Sequence, residues 1–420
     1  TNSWAARKLG SWSKASVQAT LENVVVVGAS LAGNSAAHAL RRLGYAGRLT
    51  IIGAERRRPY QRPPLSKQLL AGDFTVERCD LRVDAELAAD WRLGRAARRL
   101  DILGHEVELD GGERVPFDGL VIATGARARR LRGVDDADVC TLRTIDDCIA
   151  IREHIDRGAA HVAIVGAGFI GCEVAATLRK RGVGVTLIDI DAVPMQRVLG
   201  PTLGAVALAL HRSHGVRCEM GVGVLSVQSV AGKRCITLTD RRTIDADLVL
   251  VGVGAEPAVE WLAGSGVALE DGVLCDSTCA VVGTEHIVAA GDIARWNNPL
   301  FGTTMRTEHW DNAIAQGEAA ARTLLTAPSQ AQPYASVPLF WSDQYDWKLQ
   351  MLGAPRLGDD MRIVEGALGE RRFVAAFVRE GRIVGAFLLN SMHRVVAYKR
   401  LIEARAGLDG LEPTLAGTAP

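Results

Sequence analysis

Apolar residues in this chain gather into short uninterrupted runs, and twice such a run is followed by a stretch of helical period and then by another run. Residues 24–27 are all valine, GASLAGNSAAHALRRLG follows, and residues 49–52 close the pattern. A continuous β-branched run of this length predicts a strand buried on both faces, and two of them flanking a helix predict a βαβ unit. The pattern returns at His161–Val165, passes through GAGFIG into a helical stretch, and ends in a strand at 185–188. Farther on, 373–378 and 383–388, divided by Glu380 and Gly381, predict a hairpin, and 395–404 a helix. A polar, proline-containing stretch at 328–333 reads as a linker.

Glycines stand where each predicted strand turns into its helix. In the first unit Gly28 permits a tight turn and Gly33 a close helix–strand approach, while Ser30 occupies the middle position of the G-x-G-x-x-G pattern. Serine is small enough for that place. Glu55 follows the second strand, where a carboxylate can accept from an adenosine ribose. The second unit carries Gly166, Gly168 and Gly171, and Asp189 ends its second strand. A helix N-terminus behind such a turn offers unpaired N–H groups and a positive dipole end to a pyrophosphate. Asp189 favours a ribose 2′-hydroxyl over a 2′-phosphate, and Ile190 and Asp191 after it offer no cation, so NADH is expected rather than NADPH. One fingerprint alone is weak. Two, each followed by an acid, predict two nucleotide sites.

Length and composition fit this picture. At 420 residues the chain exceeds the size at which one core stops growing, and no apolar run approaches the roughly 20 residues of a membrane helix. Residues 1–20 lack the apolar stretch of a secretory signal and are expected to be a flexible tail. The net charge of +1 supplies no global argument for nucleic acid or a membrane surface. Eight scattered cysteines, the closest pair being Cys275 and Cys279, match neither a zinc spacing nor a redox CxxC, so no metal is expected and a reduced, cytoplasmic protein is. Arg56, Arg57, Arg58 and Arg62 form one basic stretch and Arg127, Arg129, Arg130 and Arg132 another. Each reads as solvated loop charge or as a docking patch for an acidic partner.

Further segments carry a family resemblance. VIATGA at 121–126, with Ala123, Thr124 and Gly125, and HIVAAGDIA at 286–294 resemble the flavoproteins with two dinucleotide-binding domains. PYQRPPLSK at 59–67, RTEHWDNAIAQGEAAA at 306–321 and VPLFWSDQYDWKLQMLG at 337–353 resemble, within that group, the oxygenase-coupled NADH-dependent ferredoxin reductases of the putidaredoxin reductase and biphenyl dioxygenase reductase type. The resemblance spans residues 22–405. It implies FAD on the first unit and NADH on the second, with the ATG segment as the crossover and Asp292 bonded to the ribityl-phosphate region of FAD. By it, Arg62 and Lys67 lie close to the flavin, Lys67 near the reactive edge. It also implies that Glu173 sits near the nicotinamide, and that His309, Trp310 and Trp341 surround the isoalloxazine. Plainer readings exist for several of these residues. Lys67 is also what an exposed lysine after a proline-rich loop looks like, Glu173 suits a helix N-terminus, Asp292 suits a helix cap, and a tryptophan often fills a core.

The expected architecture is therefore α/β: two Rossmann-like dinucleotide-binding domains, for FAD and NAD, plus a C-terminal α+β domain. The boundaries expected are a tail at 1–21, a discontinuous FAD-binding domain at 22–125 and 250–327, an NAD-binding domain at 126–249 inserted between, and a C-terminal domain at 328–420 whose end from Gly407 is loose. A helix is expected to start after Asp292. Related disulfide reductases carry redox cysteines where this chain has PPLSK, with Ser66 and Lys67, and Cys79 comes later in a polar segment. The resemblance thus implies that electrons leave directly from flavin, one at a time, to a [2Fe-2S] ferredoxin that serves a cytochrome P450 or Rieske oxygenase. Lys67, Glu173 and Trp341 are the residues it places at the chemistry. Alternatives are a rubredoxin reductase or other NADH:acceptor oxidoreductase, and, in another class, a redox-sensing flavoprotein of the apoptosis-inducing-factor type.

Overall fold

The computed structural model describes residues 21–411. The valine run forms the centre of a five-stranded parallel sheet: Asn23–Val27 pairs with Arg48–Gly53 on one side and Gly119–Ile122 on the other, with Asp90–Leu93 and Ile287–Ala289 at the edges. Val24 to Val27 are at most 2% exposed, as expected for a strand covered on both faces. One face is covered by the helices Leu31–Arg42 and Trp310–Leu324, which pack on each other through small residues, and the other by the sheet containing Ala97–Asp101. A Cβ on Gly317 would stand 2.6 Å from the Ala32 carbonyl oxygen, so the two helices approach at backbone distance.

A second parallel sheet repeats the plan around His161–Val165, flanked by Gly184–Asp189 and Leu248–Val251, with Arg217–Met220 and Cys140–Thr141 outside them. Leu248 to Val251 pair in full with Val162 to Val165. The expected boundary at 249/250 would cut this strand, so the return to the first sheet comes after residue 251. The two crossings lie side by side, because Ala126–Ala128 pairs antiparallel with Ala255–Pro257. Each unit also carries a three-stranded antiparallel sheet, one containing Ala97–Asp101 and the other Val224–Val230.

The third layer is a five-stranded antiparallel sheet in the order Leu339–Gln344, Trp347–Gly353, Arg382–Leu389, Phe373–Arg379, Asp360–Gly366, with the helix Val395–Glu403 buried on it by Tyr398, Leu401 and Ile402. Residues 407–411 are not loose. Gly407 bridges to Arg382, and Leu408 and Leu411 pack on the core of this layer. No helix starts after Asp292 either: Gly291–Ile293 is a single tight turn that leads into the strand Ala294–Asn298. The expected tail lies outside the described residues except for Leu21. Among the described residues no helix is long and apolar enough to cross a membrane.

Candidate dinucleotide and redox site

The two glycine turns are built alike. Gly28 has φ +123° and Gly166 φ +107°, a region that L side chains rarely enter, and each donates its N–H to the second strand of its unit at 2.8 Å, to Ile52 and Ile188. A Cβ on Gly28 would lie 2.0 Å from the Ala123 carbonyl oxygen, and one on Gly166 2.3 Å from that of Gly252. The third positions are just as closed: a Cβ on Gly33 would meet the Gly28 oxygen at 1.8 Å, and one on Gly171 the Gly166 oxygen at 2.0 Å. The middle position differs. A Cβ on Gly168 would meet no atom within 4 Å, and Ser30, its counterpart, heads its helix with no side-chain cap bond. The chain itself does not require glycine there, which is why the first unit accommodates serine.

In front of the first turn lies a cavity of about 360 Å3, bordered by Gly28, Ser30, Glu55, Arg62, Thr124 and Trp261. Glu55 is held on both oxygens, by Arg62 at 2.7 Å and by the Tyr60 hydroxyl at 2.5 Å. Arg62 also donates to the Arg143 carbonyl at 2.6 Å, and the Arg143 guanidinium pairs with Asp292 at 2.7 Å. A run of polar contacts therefore joins Glu55 to Asp292. At the crossover, Thr124 donates to the Ala258 carbonyl at 3.0 Å, and Gly125 turns with φ +69°.

The structure joins Lys67 and Glu173. Lys67 follows the turn Pro63–Ser66, and Glu173 sits one turn into the helix Phe169–Lys180. Their charged groups are 2.5 Å apart, with Glu173 only 2% exposed. Ser66 donates to the same carboxylate oxygen at 2.5 Å, and Ser342, from the C-terminal sheet, donates to the other at 2.7 Å. This pair is the meeting point of all three layers. Neither an exposed Lys67 nor a Glu173 that merely suits its helix end describes it.

Aromatic rings flank the junction. Phe340 lies 4.3 Å from Phe169 and 5.3 Å from His309, and Trp341, on the opposite face of its strand, meets Trp310 edge-on at 5.9 Å. His309 Nδ1 and Trp310 Nε1 are buried and have no hydrogen-bond partner among the described residues. Burial pulls the His309 pKa down to about 4, with Asp292 opposing, so its ring is neutral at ordinary pH. Asp311 beside them is pushed up to about 6, also by burial.

Asp189 accepts from the Ala167 N–H at 2.5 Å and the Asp191 N–H at 2.8 Å, so it braces the glycine turn itself and keeps lone pairs free on both oxygens. A cation does stand nearby: Arg197, absent from the run directly after Asp189, pairs with Asp191 at 3.0 Å. The basic stretches are dispersed. Arg57 pairs with Asp146 at 2.8 Å, Arg58 lies over Trp91, Arg62 is committed to Glu55, and Arg127 pairs with Glu256 and Glu260. All eight cysteines are unpaired, and Cys79 is fully buried rather than in a polar setting.

These residues fit two dinucleotides. Both turns are closed to side chains where the chain packs on itself; at the middle position, where a pyrophosphate would approach, Gly168 is open and Ser30 borders the cavity. The unpartnered Trp310 N–H and the unpartnered His309 Nδ1 suit a polar ring system between the layers. Arg143, Ser342, Phe169 and Phe340 escaped the sequence reading. Arg143 directly precedes the capping box of Thr144 and Asp147, a signal for the helix but not for the ion pair. The other three touch residues distant in sequence, and no local signal marks them.

Comparison with known proteins extends this picture over the whole chain. Residues 22–317 match the family described as pyridine nucleotide-disulphide oxidoreductase, and residues 339–412 match the reductase C-terminal family. The chain is 39% identical over 388 residues to the anthranilate 1,2-dioxygenase system ferredoxin–NAD(+) reductase component of Burkholderia cepacia, covering 91% of this chain and 94% of that protein. Among solved structures it superposes with TM-score 0.88 and 32% identity on the ferredoxin reductase for the CYP199A2 system from Rhodopseudomonas palustris, covering 95% of this chain and all of that one. It superposes with TM-score 0.87 and 29% identity on the covalent putidaredoxin reductase–putidaredoxin complex, covering 94% of this chain and 99% of that one.

Proposed function

We propose, from the premise that this chain belongs to the pyridine nucleotide-disulphide oxidoreductase family, that it is an FAD-containing, NADH-dependent ferredoxin reductase. It hands single electrons to a [2Fe-2S] ferredoxin that serves a cytochrome P450 or Rieske oxygenase, in the cytoplasm. Relatives and structural neighbours matched over nine-tenths or more of the chain are reductase components of such systems. The observation that carries the reading is the buried Lys67–Glu173 pair between two matched glycine turns, whose further partners are hydroxyls and not thiols.

Bound FAD would accept a hydride from NADH and release electrons singly. Gly28, Ser30 and the N-terminus of Leu31–Arg42 would hold its pyrophosphate, and Glu55, Arg62 and the Arg143–Asp292 pair would border its sugar and ribityl parts. Gly166, Gly168, Gly171 and Asp189 would hold NADH, in the unit that runs to residue 251. Lys67 would place a fixed positive charge where electron density gathers, with Glu173, itself bonded by Ser66, keeping that ammonium in one place. Trp310 and Trp341 meet edge to face, which fixes both rings beside the unpartnered Trp310 N–H.

Anaerobic mixing tests this. The yellow protein is expected to bleach quickly with NADH, far more slowly with NADPH, and to reduce cytochrome c only when a [2Fe-2S] ferredoxin is added. Bleaching without ferredoxin-dependent transfer would assign the chain to another acceptor or to redox sensing.

A further inference from the structure

Glu173 ends a longer line of side chains. Its Oε1 accepts from Ser342 Oγ at 2.7 Å, Ser342 accepts from Gln344 Nε2 at 3.2 Å, Gln344 Oε1 lies 3.1 Å from His211 Nε2, and His211 Nδ1 lies 3.2 Å from the Tyr345 hydroxyl. Ser342, Gln344 and His211 are 0% exposed. The strand Leu339–Gln344 supplies Ser342 and Gln344 from one face, two residues apart, and the helix Gln196–Ser213 supplies His211.

The direction of each bond follows from chemistry. An amide oxygen only accepts, so His211 Nε2 must carry the hydrogen that Gln344 receives. Burial pulls the His211 pKa down to about 4, so the neutral ring has no hydrogen on Nδ1, which accepts from Tyr345. Ser342, accepting from Gln344, turns its own hydrogen to Glu173. Every donor thus points the same way, from the hairpin turn at Tyr345 to the carboxylate. A carboxamide in the line does not relay protons, so the line orients. Bonds aligned in this way polarise one another.

We propose that Ser342, Gln344 and His211 are positioning residues that hold the Glu173 carboxylate, and through it the Lys67 ammonium, in the geometry used for hydride transfer. The proposal rests on the reading of the Lys67–Glu173 pair given above. Lys67 and Ser66 both bind Oε2, so the Ser342 bond to Oε1 is what stops the carboxylate from pivoting about that oxygen.

The test compares Ser342→Ala, Ser342→Thr, Gln344→Leu and Tyr345→Phe with Glu173→Gln in stopped-flow reduction of the flavin-loaded protein by NADH. The carboxylate infrared band of Glu173, assigned by its loss in Glu173→Gln, is recorded without NADH. Ser342→Ala is expected to lower the limiting reduction rate about tenfold, the scale of one hydrogen bond to a charged group, and Gln344→Leu, which removes the neutral bond to Ser342, by a smaller factor. The NADH half-saturation should stay within about twofold, the carboxylate band should shift, and Ser342→Thr should restore both readouts. Tyr345→Phe, at the far end and with its ring stack on His214 kept, should give a smaller slowing in the same direction. If Ser342→Ala and Tyr345→Phe leave rate and band unchanged while Glu173→Gln slows reduction, the positioning proposal is overturned and the pair's role stands. If Glu173→Gln itself leaves the rate unchanged, the reading of the pair falls and takes the proposal with it.

Discussion

Lys67 and Glu173, 106 residues apart in the chain, meet at 2.5 Å with the carboxylate 2% exposed. A buried ion pair is weak evidence for stability, because removing both charges often costs nothing, whereas removing one leaves the other stranded. Its presence at the junction of three layers therefore speaks for chemistry.

Glu173→Gln is expected to destabilise the protein by about 3 kcal/mol and to slow flavin reduction by NADH, because it strands Lys67. The double variant Lys67→Met with Glu173→Gln should recover most of the stability but not the rate. Thermal melting and single-turnover reduction separate the two effects; equal recovery of both would show the pair to be structural.

Gly28→Ala and Gly168→Ala should part company. A methyl on Gly28 would press to 2.0 Å from the Ala123 oxygen at φ +123°, so that variant should lose flavin and melt lower. Gly168→Ala meets no protein atom within 4 Å and should melt like the parent while binding NADH more weakly. Flavin absorbance, melting and NADH titration read all three.

Arg197 is tied to Asp191 at 3.0 Å beside the expected ribose position. Asp191→Ala should release it to meet a 2′-phosphate and raise kcat/KM for NADPH relative to NADH about fivefold, the scale of one exposed charge-assisted bond. Steady-state kinetics with both coenzymes checks this, and an unchanged ratio would mean that Arg197 lies out of reach.

Acid should unfold the protein in part through its buried histidines. The folded-state pKa values of His211 and His309 are depressed to about 4 from 6.5, so their contribution is present above pH 6.5 and is lost as pH falls through about 4. Asp311 acts oppositely: raised from 3.8 to about 6, its contribution is full below pH 3.8 and lost as pH rises through about 6. Melting followed from pH 7 to 4 should fall less steeply for His309→Gln, and Asp311→Asn should raise melting at pH 7 but not at pH 4.

How much of this was legible depended on range along the chain. Both strand–turn–helix units could be read from the valine run, His161–Val165 and the glycines after them, because buried parallel strands and tight turns impose their demands on adjacent residues. The strand Leu248–Val251 straddles the expected boundary near 250, because a strand's pairing partner, here Val162 to Val165, is not beside it in sequence. The end from Gly407 looked loose because glycine and proline mark it, while its anchor, Arg382, lies elsewhere.

The sequence by itself determined the two nucleotide units, the family, and which residue types bear chemistry, since glycine turns, strand-end acids and motif strings are local statements. Only the tertiary structure decided what those residues do to one another. That Glu173 grips Lys67, that Ser342 and Gln344 extend from the third layer to steady it, and that Arg143 takes Asp292 follow from three layers closing on one buried point. In that low-dielectric setting each polar group must find a partner, whatever its distance in sequence.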